Sequence, residues 1–382
     1  MKKGQTVPLD EACNVEYGTR VVQRRDGGSI YPVYGGGGAT FQMDEFNRED
    51  RLVIARFGMS EECTRFVPGK FFLNDSGLTV SPKNGALLQR FVDYQILSLN
   101  DDIYALGKGT AQKNLDVPVF RTLPLFVPND IRDQQRIVEI LDETLAGIST
   151  AKVNAYKNLQ NARALFESQL QSVFTRRGKG WEEKALSELC DIKHGLAFKS
   201  KFFRPEGDYV LLTPGNFYES GGYRDRGEKQ KYYIGEIPRD YVLSEGDLLV
   251  AMTEQAAGLL GSPILIPDSD KFLHNQRLGL VIKKPGIPWT NEFFFHVFNT
   301  QAVRKEIHDS ASGVKVRHTS PTKIGEVVVS FPTSISEQRA IVSTLNDLRK
   351  DSQRLESIYE RKLVALDALK KSMLHQAFTG QL

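Results

Sequence analysis

At 382 residues the chain is long enough for two domains, and a composition of 40% hydrophobic and 25% charged residues is that of a globular protein. No apolar run reaches the ~18 residues of a membrane span, Met1–Asp10 has no signal-peptide core, and Cys13, Cys63 and Cys190 are too scattered for a disulfide framework; the expected compartment is the cytoplasm. The net charge of +3 conceals a local balance, since residues 1–128 carry 15 basic and 15 acidic side chains and residues 181–332 carry 19 and 20. Neither stretch is the uniformly basic module of a lone, tight nucleic-acid binder, so any such binding must rest on local patches.

Residues 1–128 open with the apolar–polar segment Val7–Cys13 and with Tyr17-Gly18. Ile30–Val33 reads as a strand and leads into Tyr34 and four glycines. No Gly-Lys-Ser/Thr follows, which excludes a nucleotide phosphate loop. Bare backbone at Gly36 and Gly37 beside Tyr34 would let a large ligand approach closely, although such a run also makes a plain, mobile hairpin tip. Leu52–Phe57, Phe71–Leu73 and Leu78–Val80 read as strands and Gly85–Leu97 as a helix with extended ends, giving an α+β module. A polar loop carrying Lys108, Gln112, Lys113 and Asn114 then precedes the strand Leu123–Pro128.

That loop opens an internal repeat. The 67 residues Gly109–Thr175 recur without a gap as Gly313–Thr379, with identities that include Gly109/Gly313, Pro128/Pro332, Gln134/Gln338, Leu141/Leu345 and Phe174/Phe378. Each copy passes from a glycine-led loop through a strand ending in proline into a long helix that closes on Phe-Thr. Ser334 with Glu337 predicts a capping box, and Asp130 with Asp133 a weaker one. Along the first helix Val138, Leu141, Leu145, Ile148, Ala155, Leu159, Ala162, Phe166 and Val173 fall on alternating three- and four-residue steps, broken by Lys152 and Gln169. Leu345, Leu348, Leu355, Tyr359, Leu363, Leu366, Leu369 and Met373 form the second stripe. A narrow seam over roughly six heptads predicts two helices paired with each other rather than each packed only on its own module.

Residues 176–180 form a basic, glycine-containing linker, and Trp181 opens the second module. Lys184–Cys190 echoes Val7–Cys13, and His194-Gly195 echoes Tyr17-Gly18. Tyr209–Leu212, Leu248–Met252, Pro263–Ile266 and Leu278–Ile282 are strand candidates; Trp289–Phe298 and Gln301–Ala311 read as helices. Lys199, Lys201 and Arg204 make a basic loop among phenylalanines, and Arg224 and Arg226 a second among tyrosines. Gln276 and Arg277 precede a strand with side chains suited to base edges or phosphates. The repeated loop of this module holds Lys315, Arg317 and His318. Each cluster alone is more often a solvated loop; their recurrence in both modules favours a ligand surface. No Walker loop, zinc spacing, Gly-x-Ser-x-Gly elbow or dinucleotide fingerprint is present, nor the Asn/Asp-Pro-Pro-Tyr stretch of adenine methyltransferases, which reads as a binding protein rather than an enzyme.

The order module–helix–module–helix, with Asp133-Gln-Gln-Arg-Ile-Val138 and Glu337-Gln-Arg-Ala-Ile-Val342 opening the helices, resembles the specificity subunit of type I restriction–modification enzymes. Phe174–Trp181, the ending Ala377–Leu382 and Tyr31–Gly38 carry the same resemblance, which covers the whole chain. It implies an α+β fold with a pseudo-twofold internal repeat: target-recognition domains at 1–128 and 181–332, joined by two long antiparallel coiled-coil helices at 129–180 and 333–382. The two domains would each read one half of a split, asymmetric site on double-stranded DNA. Helices of ~45 residues, roughly 65–70 Å long, would act as a spacer. Two methyltransferase subunits would dock on the chain, with Gln134, Ile137, Val138, Leu141, Gln338, Ile341, Val342 and Leu345 as expected partner contacts. No cofactor is expected on this chain: S-adenosylmethionine belongs to the methyltransferases, and ATP and Mg to a motor–nuclease subunit that joins where the complex also cleaves. The competing class is a protein-interaction scaffold of two α+β domains on a coiled coil with no DNA role.

Overall fold

A computed structural model describes residues 4–254, 258–379 and 381; Gly380 and Leu382, part of the C-terminal motif above, lie outside the described residues. The chain forms two compact units, one of residues up to Asn158 together with those from Tyr359 onward, the other Leu159–Ile358. Among the described residues no helix is long and apolar enough to cross a membrane.

In the first unit β1 (Gly4–Pro8) and β10 (Pro124–Pro128) close the module as an antiparallel pair. Its main sheet has six strands: β2 (Cys13–Tyr17), β3 (Tyr31–Tyr34), β4 (Ala39–Met43), β5 (Arg48–Ala55), β6 (Thr64–Leu73) and β7 (Gly77–Pro82), in the order β2-β7-β5-β6-β3-β4. The short β8 (Gly107–Lys108) and β9 (Asn114–Leu115) form the repeated polar loop. The helix Gln89–Ser98 starts four residues later than its expected Gly85 because Ala86 and Leu88 are held by a side chain of the long helix. Leu9, Ile54, Phe91, Phe120 and Leu125 form the core.

The second unit repeats the frame. β11 (Trp181–Ala185) pairs with β16 (Val328–Pro332) as β1 pairs with β10. β12 (Cys190–His194), β13 (Leu248–Ala251), β14 (Pro263–Leu265) and β15 (Leu278–Lys283) form a sheet in the order β12-β15-β13-β14, whose first three strands match β2-β7-β5. A second, separate four-stranded sheet is built from two-residue strands within 203–273, and Thr253-Glu254 pairs with Arg317-His318. The helix Asn291–Phe298 supplies Phe293, Phe294 and Phe298, all fully buried, to the core.

Both long helices are continuous, Ile131–Arg176 and Ile335–Thr379. Their caps differ from expectation. Ser334 Oγ accepts the amide of Glu337 at 3.3 Å, but the Glu337 carboxylate accepts the Trp181 indole N–H at 2.9 Å instead of turning back. Asp130 accepts the amide of Arg132 at 2.9 Å, and its carboxyl is held below the usual range by that bond and by the Arg132 guanidinium.

The first helix buries the stripe read from sequence, with Leu141, Ile148, Ala155, Leu159, Ala162 and Phe166 at 0–7% exposure. The second helix departs from it. Leu355 and Leu369 are exposed at 38% and 45%, while Ser352 is buried at 2%. The buried line through Leu345, Ser352, Leu363, Leu374 and Ala377 follows the helix surface, and the two leucines fall outside it.

In the first unit Leu141 packs with Leu374 and Ala377, and Lys152 pairs with Asp367 at 2.6 Å. In the second Leu170 packs with Leu345, and Arg163 pairs with Glu356 at 3.1 Å. Within each unit one segment rises in number as its neighbour falls, so the two helical segments run antiparallel.

Candidate nucleic-acid interface

The repeated glycines have a backbone cause. Gly109 and Gly313 adopt φ of 114° and 102°, and a Cβ there would meet the carbonyl oxygen of Gln112 at 2.3 Å or Val316 at 2.1 Å. Only glycine makes this turn. The loop that follows lies beside the strand ends: Phe57 bridges to Asn114, and Thr253 and Glu254 pair with His318 and Arg317.

In the first unit this places one face together. The glycine run is the tip of the β3–β4 hairpin, and its backbone is tied down: the Gly36 amide donates to Ser76 Oγ at 3.2 Å, and Arg65 donates to the Gly37 carbonyl at 2.7 Å. A Cβ on Gly36 would meet the Phe57 carbonyl at 2.7 Å, whereas Gly37 has nothing within 4 Å. Gly36 is therefore required for packing, and Gly37 offers bare backbone outward. Tyr34 packs edge-on against Phe71, with ring centroids 5.6 Å apart, and is a support for the tip.

Beside this tip a groove is lined by Tyr17, Arg56, Phe57, Lys108 and Asn114. Lys108 reaches into it but is paired with Asp116 at 2.5 Å, which holds that carboxyl below its usual range. Lys113 lies 3.9 Å above the Tyr104 ring, and Gln112 is exposed against Gly58. Sequence reading missed Arg56 and Arg65. The signal for Arg56 was present: a charged residue directly after four buried strand residues, Leu52–Ala55, marks a side chain held at a rigid strand end.

The second unit carries its candidates in separate groups. Lys201, Arg204 and Lys231 border a ring cluster in which Phe198, Phe202 and Phe203 pack around Tyr233, and Lys199 is exposed next to Phe198 in the sequence. Lys201 sits 4.9 Å from the Phe202 ring and Lys231 5.9 Å from Phe203, while Arg204 donates to the carbonyls of Lys201 and Phe203. Arg224 lies over Tyr218, and Arg226 belongs to a turn ordered by buried Asn216 and Gln230. Gln276 and Arg277 are exposed on the turn that bonds Leu196. Lys315 and His318 are exposed. Arg317 is turned inward: its guanidinium lies 2.6 Å from His308 Nε2 and donates to the His308 carbonyl at 2.7 Å. In this position it braces the loop of its own module.

Of the residues expected to meet a partner, Gln134, Leu141, Gln338 and Leu345 are buried within the chain and Ile137, Val138, Ile341 and Val342 are half-buried. Gln134 is fully buried; it accepts the Leu88 amide at 2.8 Å and donates to the Ala86 carbonyl at 2.7 Å. Gln338 repeats the arrangement, accepting the Thr290 amide at 3.0 Å and donating to the Pro288 carbonyl at 2.8 Å. Leu141 and Leu345 are at most 1% exposed, and Ile137, Val138, Ile341 and Val342 pack on the module cores. The repeated glutamines clamp each helix start to its own module because buried amides and carbonyls need partners.

Reactive chemistry is muted. Burial pushes the thiols of Cys13 and Cys63 up to about 11 and that of Cys190 to about 12. It pushes His274 and His296 down to about 4. Among the described residues no group of three or more His, Cys, Asp or Glu side chains could hold a metal ion.

The two modules also match at their loop ends. The Gly77 amide donates to the Asn74 carbonyl at 3.1 Å and the Arg56 amide to the Ser76 carbonyl at 2.9 Å. In the second unit Leu278 donates to Asn275 at 3.0 Å and Met252 to Arg277 at 3.0 Å. Arg56 thus stands where Met252, 3% exposed, stands in the second unit, while Ser76 stands where Arg277 does.

A family model described as the type I restriction modification DNA specificity domain matches residues 1–158 and 178–361. The type I restriction enzyme EcoBI specificity subunit of Escherichia coli is 26% identical over 204 residues, which is 53% of this chain and 39% of that subunit. The match therefore spans well under two thirds of that relative. A chain from a structural study of complex assembly and conformational transition of the type I R-M system has a TM-score of 0.74 at 14% identity, covering 100% of this chain and 98% of that one. The HsdS subunit from Thermoanaerobacter tengcongensis has 0.57 at 15% identity, with 99% and 97% covered. At these identities the structural likeness is one of fold.

Proposed function

The chain belongs to the type I restriction–modification DNA specificity family, and from that premise we propose that it reads a bipartite, asymmetric site on double-stranded DNA for a methyltransferase complex. Residues 1–128 and 181–332 act as two target-recognition domains, one for each half-site. The observation that carries this reading is the matched loop end. Identical backbone bonds hold Arg56 and Ser76 in one module and Met252 and Arg277 in the other, so one frame presents two chemically different surfaces. Direct base readout needs such a difference, because each half-site offers its own pattern of donors and acceptors.

The long helices pair as an antiparallel coiled coil, a reading supported by the Lys152–Asp367 and Arg163–Glu356 bridges and by the apolar contacts of Leu141 and Leu170. Two methyltransferase subunits dock on the chain and bring S-adenosylmethionine. A motor–nuclease subunit, with ATP and Mg, joins where the complex also cleaves. The chain itself is non-catalytic, and its near-neutral modules suit a subunit that shares its attraction for DNA with partners. Purified alone, the chain is expected to methylate nothing; mixed with its methyltransferase partner, it is expected to bind one DNA sequence and direct methylation there. Methyl transfer by the isolated chain, or a complex that methylates without sequence preference, contradicts the proposal.

A further inference from the structure

Arg56 differs from every other cation on the first module's candidate face. It follows Leu52–Ala55, all at most 3% exposed, so its backbone is part of the rigid core. Its guanidinium carbon lies 5.0 Å from the Tyr17 ring and 4.5 Å from the Phe57 ring, which confines the side chain between two aromatic groups. Nη1 donates to the Asp75 carbonyl at 3.3 Å, which fixes the rotation of the plane. Among the described residues no carboxylate is paired with it, whereas Lys108 in the same groove is neutralised by Asp116. Tyr17 and Phe57 are 44% and 39% exposed, so the groove offers ring surface at its mouth. The glycine tip beside it, packed by Gly36 against the Phe57 carbonyl and open at Gly37, admits a close backbone approach.

A phosphate contact needs charge but little orientation, and flexible lysines serve it well. Arg56 has the opposite character: a cation with no carboxylate partner among the described residues, held in one plane, with apolar walls. Its bond to Asp75 leaves Nε and Nη2 as two adjacent, parallel donors. On the major-groove edge of DNA that fork matches the O6 and N7 acceptors of guanine. We propose that Arg56 is a specificity-determining residue of the first module and reads a guanine in its half-site, with Tyr17 and Phe57 fixing the plane of the fork. The inference rests on the DNA-reading role proposed above. The second module cannot repeat it, since Met252 occupies the equivalent position and is buried.

The test uses the full chain in complex with its methyltransferase partner and a duplex bearing the motif methylated by the wild-type complex. Each guanine is replaced in turn by 7-deazaguanine, which removes only N7. For the wild type, one replacement in one half-site is expected to weaken binding by roughly five- to a hundredfold. Arg56→Ala should bind the unmodified duplex more weakly by a similar factor and no longer respond to that replacement. Arg56→Lys keeps the charge and the core, so it should melt like the wild type yet also lose the response. Overturning results are an Arg56→Ala complex that binds as well as the wild type, or one weakened on all duplexes but still sensitive to the same N7, the signature of a phosphate contact. A wild-type complex with no methylated motif and no site-specific binding removes the DNA-reading role itself, and this inference with it.

Discussion

The Phe378 ring, near the end of the second long helix, packs edge-on against Phe91 of the first module at 5.4 Å. Phe174, its counterpart in the repeat, packs against Phe293 of the second module at 5.5 Å. Each module is thus closed by the Phe-Thr end of a helix that began elsewhere in the sequence. Replacing Phe378 by Ala should lower the stability of the first unit by about 1–3 kcal/mol, and Phe174→Ala should do the same to the second. Hydrogen exchange resolved along the chain separates the two: protection should fall around Phe91 in one variant and around Phe293 in the other.

The clamps at Gln134 and Gln338 give a sharper contrast. Gln134→Ala removes two hydrogen bonds, one from the half-buried Leu88 amide and one to the carbonyl of exposed Ala86, at a cost of about 1–3 kcal/mol. Gln338→Ala should cost a similar amount. Denaturant titration reads this directly. If the variants unfold like the wild type while losing affinity for a partner protein, the glutamines do not serve as internal clamps.

Acid should act on the two units in opposite senses. Burial raises the Asp93 carboxyl to about 6, so the folded first unit favours the protonated form. Its contribution is fully present below pH 4 and is lost as pH rises through 6, on the order of 3 kcal/mol. His274 and His296 are pushed down to about 4, so the second unit favours neutral imidazoles. That contribution is present above pH 6.5 and is lost as pH falls toward 4. Between pH 6.5 and 4, Asp93→Asn should flatten the pH response of the first unit and His296→Gln that of the second, as read by exchange rates in each. A common response in both units counts against these assignments.

Lys315 and Arg317 adjoin in sequence but should separate in assay. Lys315 is exposed, so Lys315→Ala should leave the melting temperature unchanged and reduce the salt slope of DNA binding by about one. Arg317 is engaged by His308, and Arg317→Ala should lower stability. Equal melting temperatures for the two variants would go against this division.

These pairs also show what sequence makes legible. The repeat, the proline-ended strands that lead into the long helices and the first helix's stripe are written in spacing, because burial imposes a period on the residues that face it. The second stripe misled at Leu355 and Leu369, since buried Ser352 interrupts the apolar pattern with a residue that reads as surface. The glutamines repeat because of what they bond, and spacing alone does not tell an internal clamp from a docking contact. Arg317 looked like a free cation for the same reason: its partner, His308, lies nine residues away, on a different element. Arg56 went unnoticed because Tyr17, one of the two rings that hold it, comes from a strand far away in the sequence.

The proposed function has one frame carry two independent readers. Exchanging residues 181–312 for the matching segment of a relative with a different target, then mapping methylated adenines across the genome of a cell that carries the chimera and its methyltransferase, tests it most directly. A new sequence is expected in one half of the motif and the original sequence in the other. A motif altered in both halves, or in neither, contradicts it.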